Sequence, residues 1–161
     1  MSREGAVGAL LDIYEQAISD FKSVIEDISD HALTIITDPK TTDENCNSIQ
    51  AILTHVVHSG YGYATSIHNQ KGYNKKRPDK VFHLTVEEYL EDLTNVFIYT
   101  ENIFKEISDD DLEQFDNSLK IKTGWGQCYD IEQLTEHAIV HILRHKRQIE
   151  KIKRVVLSRQ V

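Results

Sequence analysis

Four stretches of this chain repeat apolar residues every three or four positions, and no run alternates them over a length that would build a sizeable sheet. Each such stretch makes a helix with one apolar stripe, and a stripe has to be buried against another element. The first runs from about Ala6 to Ile28, with Leu10, Tyr14, Ala17, Phe21, Val24 or Ile25, and Ile28 on one side. Pro39, Thr41, Thr42 and Asp43 mark a connection. The second follows Ser48, a residue suited to an N-cap, and continues to about Asn69. Its inward residues are Ile49, Ile52, Leu53, Val56, Gly60, Tyr63 and Ile67. Gly72, the basic triplet Lys75, Lys76 and Arg77, and Pro78 form the next loop. Thr85-Val86-Glu87-Glu88 is a capping box that opens the third helix, followed on one face by Leu90, Leu93, Phe97, Phe104 and Ile107. A second capping box, Asp130-Ile131-Glu132-Gln133, opens the fourth, which runs to about Val156. The connection from Ser108 to Tyr129 is longer than bundle loops usually are, and it is expected to hold a short helical turn or a strand-like stretch from Leu119 to Lys122. The expected fold is all-α: a single four-helix-bundle domain over residues 1–161, with a long connection between helices 3 and 4.

Charge narrows the partners. The formal net charge is -8, from 26 acidic and 18 basic residues, which argues against a nucleic-acid backbone as ligand. No segment approaches the roughly 20 apolar residues of a membrane span, and the first residues lack the apolar core of a signal peptide. A cytoplasmic protein with no membrane partner is the expectation. Cys46 and Cys128 have no metal-ligand spacing and read as two reduced thiols, although both lie near helix starts, where the dipole lowers a thiol pKa.

The histidines carry the chemistry. His137, His141 and His145 are spaced four apart on the fourth helix, so they share one side of it. At about 100° per residue, His145 falls roughly 10° from the centre of the apolar stripe, His141 roughly 50° and His137 roughly 90°. His141 and His145 therefore stand where core residues belong, and burying imidazoles without partners costs of order 1–3 kcal/mol each. Hydrogen-bonded core histidines and metal ligands both answer that cost. A third ligand has to come from another helix. On the second, His58 lies opposite the apolar stripe and His55 on its flank, which favours His55. Three neutral imidazoles would leave a position open for water or substrate.

The stretch His137-Ala138-Ile139-Val140-His141-Ile142-Leu143-Arg144-His145-Lys146-Arg147-Gln148 resembles the last-helix signature of the DinB-like family, and Ser48 to Val56 is similar to that family's second-helix segment, where a capping serine precedes a ligand histidine. The resemblance runs through most of the chain in helix order. It departs from the family pattern at Arg147, where a small residue is common. It implies a four-helix bundle holding a divalent transition metal (zinc, nickel or iron) on His55, His141 and His145, with His137 as substitute ligand if the register is off by a turn. It also implies thiol transfer as the best-known chemistry, in which a low-molecular-weight thiol is delivered to an electrophile. Thiol-dependent isomerases and hydrolases occur among relatives.

Other residues fit around such a site. Glu136, Gln148 and Tyr61 are candidates to flank the histidines and orient an imidazole. Tyr63 could line a pocket, Gly60 and Gly62 could admit a close neighbour, and Trp125 could cover the open end. Ile139, Val140 and Leu143 lie off the inner stripe of the fourth helix and suggest a homodimer interface. The competing functions are a metal-dependent enzyme acting on a small-molecule substrate, which the resemblance implies to be a thiol S-transferase, and a non-catalytic metal-binding or stress-response protein.

Overall fold

The computed structural model describes residues 3–159. Four helices dominate: α1 (Gly5–Ile25), α2 (Ile49–Gln70), α3 (Val86–Phe104) and α4 (Ile131–Val155). Two two-residue strands, β1 (Ile121–Lys122) and β2 (Cys128–Tyr129), pair antiparallel in the α3–α4 connection, where a strand-like stretch was expected. That connection also holds short 3-10 turns at Asp109–Asp111 and Asn117–Leu119.

Each of α1 and α2 packs on both α3 and α4, so the order around the bundle is α1, α3, α2, α4. Helices 1 and 2 are diagonal partners, as are 3 and 4. Short loops join antiparallel neighbours; a diagonal pair needs a longer chain, which accounts for both long connections. Each connection is tied down by helix ends. Asp30 accepts the Val86 N–H at 2.8 Å, and Asp109 accepts the N–H groups of Ala6 and Val7 at 3.0 and 2.8 Å. The second pair caps α1, whose own N-cap residue, Glu4, makes no side-chain cap.

The anticipated starts of α2, α3 and α4 are in place. Ser48 accepts the Ala51 N–H, and Thr85 and Asp130 form reciprocal boxes with Glu88 and Gln133. Asp130 does double duty, because its second carboxylate oxygen accepts the Gln114 N–H at 3.3 Å. Asp130→Ala is expected to cost about 1–2 kcal/mol, read as a lower urea midpoint at unchanged slope. A midpoint equal to the parent's would show that the box contributes nothing.

The core is continuous across all four helices, with Phe21, Ile25, Ile52, Leu53, Tyr89, Leu93 and Ile149 closed to solvent. Tyr89 buries its hydroxyl by pairing with Thr54 Oγ1 at 2.6 Å. Gly60 lets α3 approach closely, since a Cβ there would stand 2.9 Å from Val96 Cγ2. One expectation is corrected. Ile139 belongs to the core, not to an outward patch, because α4 packs on α1 and α2 together and so needs a wider apolar face than one stripe. Val140 stays exposed and Leu143 half-buried. Among the described residues, no helix is long and apolar enough to cross a membrane.

Candidate metal centre

His55 stands in the second turn of α2, and His141 and His145 stand one turn apart in the middle of α4, the helix packed beside it. The two helices aim the three rings at one point. His141 Nε2 lies 3.0 Å from His55 Nε2 and 3.2 Å from His145 Nε2. One ligand atom from each histidine lies within 4.8 Å of the other two, an arrangement that could hold a metal ion. His145, nearest the centre of the apolar stripe, is 6% exposed, while His141 and His137 are both half-buried.

All three rings are held neutral. Burial, with His145 nearby, pushes His55 down to about 4. Burial, together with His145 and His55, pushes His141 down to about 3. Burial also lowers His145, against a hydrogen bond donated to Gln148 that favours its charged form. That bond sets the tautomer. Gln148 Oε1 can only accept, so His145 Nδ1 carries the hydrogen at 2.8 Å and Nε2 keeps its lone pair for the cluster. A single proton can bridge only one of the two Nε2 pairs at a time. A cation answers all three lone pairs at once. Ligand distances of about 2.0–2.1 Å at a tetrahedral ion place its nitrogens about 3.3–3.4 Å apart, slightly more than the two short spacings, so small shifts of the rings would seat a transition metal of the zinc type.

His55 and His141 form part of the lining of an open cavity of about 640 Å³. Tyr63 from α2 sets its ring edge against both His137 and His141. The hairpin tip supplies the opposite wall. Thr123 and Gln127 close it with backbone bonds, Gly126 adopts φ +90°, and Trp125 is presented between them. The Trp125 indole donates to Gln127 Oε1 at 3.0 Å and stacks on His137, ring centroids 5.0 Å apart.

The remaining sequence candidates separate cleanly. His137 lines the cavity beneath Trp125 and is not one of the three converging histidines. Gln148 is bonded to His145, as a residue that orients an imidazole should be. Tyr61 is not beside the histidines: it packs edge-on against Tyr99 and lines a separate small cavity with His58 and His83. It lies two positions from Tyr63 on α2, a step that turns it to another side of the helix. Glu136 is exposed and bonds none of the three histidines among the described residues. Cys46 and Cys128 are free thiols. Burial pushes Cys46 up, opposite to the effect expected from a helix start. Among the cavity residues that the sequence did not place there are two cations, Arg77 and Lys122. Glycine in the interior of α2 was the available signal for Arg77, since a helix tolerates it where another group comes close.

Comparison with known proteins agrees with this architecture. A family profile described as "DinB family" matches residues 1–154. A crystal structure of a conserved protein from Enterococcus faecalis shares the fold, with a TM-score of 0.66 at 12% identity over 97% of this chain and 99% of that one. No curated protein matches the chain.

Proposed function

The chain belongs to the DinB family, and we propose that it is a metal-dependent enzyme that binds a divalent transition metal (zinc, nickel or iron) on His55, His141 and His145 and transfers a low-molecular-weight thiol to a small electrophile. The observation that supports this reading best is the meeting of three neutral imidazoles, through their Nε2 atoms, beside an open cavity of about 640 Å³. A structural zinc site is closed by four protein ligands, whereas a catalytic one keeps a position free. When bound, such a metal lowers the pKa of a coordinated thiol or water.

The chain's own residues supply orientation and shelter. Gln148 holds His145 in the tautomer that presents Nε2. Tyr63 and Trp125 wall the cavity with rings and limit the water that reaches a bound substrate. An external thiol as the nucleophile is supported by the cavity lining, which contains no cysteine among the described residues.

The test begins with tag-free protein. About one equivalent of transition metal is expected, together with turnover of chlorodinitrobenzene or monochlorobimane by at least one cellular thiol, lost on chelation and restored by metal. Bound metal without turnover for any thiol and electrophile pair would leave a non-catalytic metal-binding protein. Gln148→Leu is expected to weaken metal binding about 10–100-fold, measured by competition with a chromophoric chelator. An unchanged affinity would remove Gln148 from the site.

A further inference from the structure

The loop between α2 and α3 carries five cations, and four of them are occupied. Lys71 pairs with Asp111 at 3.0 Å, and Lys76 with Asp79 at 3.5 Å. Lys75 lies 4.8 Å from the Tyr99 ring centroid, and Lys80 donates to Asn45 at 3.1 Å. Arg77 is exposed and has no side-chain hydrogen bond and no carboxylate partner among the described residues. Its guanidinium lies across α2 at Gly62, where an added Cβ would stand 2.7 Å from Nη1. Gly62 and Arg77 both line the cavity beside His55 and His141. Lys122 of β1, also without such a partner among the described residues, lines it as well.

The charge around this cavity runs against that of the chain. The net charge is -8, but no aspartate or glutamate is among the lining residues. The large cavity between α1 and α3 is the opposite, with Asp12, Glu15, Glu26 and Glu101 against Lys22. A guanidinium without a partner offers a planar fork that matches carboxylate and phosphate oxygens, and an ammonium beside the same cavity adds to its attraction for anions.

We propose that the cavity takes a small molecule bearing a carboxylate or phosphate group, anchored by Arg77 with Lys122 as the second cation, while the other end of the molecule reaches the three histidines. Only that last clause rests on the metal-site reading. Arg77 is thereby the residue that selects the substrate class.

Trp125, the chain's single tryptophan, lines the cavity and reports occupancy by its fluorescence. Metal-free protein is titrated with hexanoate, hexyl phosphate and neutral hexanamide. At least one of the two anions should bind about tenfold tighter than the amide, the scale of one charged hydrogen bond, and the better of the two identifies the anionic group. Arg77→Met should abolish the preference and Arg77→Lys should keep part of it. Gly62→Ala keeps the charge but displaces it. That variant should melt no lower than the parent, since alanine favours a helix, and yet should lose the preference. Equal affinities for anions and amide, or a preference surviving in both Arg77→Met and Gly62→Ala, would overturn the proposal. Cobalt-loaded protein is then titrated with 6-mercaptohexanoate and its amide, watching the thiolate-to-metal absorption band. A band with neither thiol counts against the metal reading alone, because the anion preference has already been read without metal.

Discussion

Replacing His141 with alanine is expected to strip the protein of metal, from about one equivalent to a level lost in the background of dialysis. Its Nε2 is the shared member of the cluster, 3.0 Å from His55 and 3.2 Å from His145. Removing a group that only orients a ligand lowers metal affinity about 10–100-fold, so removing a ligand itself should cost more than that. Two controls make the result specific. His137→Ala removes an imidazole one turn away that stacks under Trp125, and His58→Ala removes one that lines a different cavity. Both should keep their metal. Full metal retention in His141→Ala would refute the site.

The second large effect is acid lability of the metal-free protein. His55 and His141 titrate in the folded state at about 4 and about 3, against 6.5 for an ordinary histidine. Below pH 6.5 the unfolded chain therefore binds protons that the folded chain refuses, and stability falls as pH falls. The loss starts near 6.5 and continues until the folded-state values are reached. Between pH 6.5 and 5 each group contributes up to about 2 kcal/mol, at about 1.4 kcal/mol per pH unit. Both rings are half-buried, so solvent screening reduces the sum from at most about 4 kcal/mol to about 2 kcal/mol. Urea unfolding at pH 7 and pH 5 measures it. The double variant His55→Gln, His141→Gln should lose much less over the same interval. An equal loss in parent and variant would assign the acid sensitivity to other groups.

The helices and their starts were legible in the sequence because the signals are local. Capping boxes need only four residues, and the boxes at Thr85 and Asp130 are where those residues placed them. The wheel also ranked His145 and His141 ahead of His137, since a position near the centre of an apolar stripe faces the core whatever helix lies opposite. Ile139 was misplaced by the same wheel, which assumes one partner surface; α4 has two, and the buried arc widens accordingly. Gly62 signalled that some group approaches α2, but not which one. Arg77 shares its loop with four other cations, and only the fold shows that those are occupied while Arg77 lies over Gly62. Tyr61 was the candidate to flank the histidines and Tyr63 to line a pocket; the direction of α2 sends Tyr61 to Tyr99 and leaves Tyr63 at the cavity.

The most direct measurement is the position of the metal itself, from anomalous scattering at the zinc absorption edge in crystals of zinc-loaded protein. One peak is expected about 2.0–2.1 Å from the Nε2 atoms of His55, His141 and His145, with no fourth protein ligand. No peak at this point, a peak on His137, or a fourth side chain closing the coordination would contradict it.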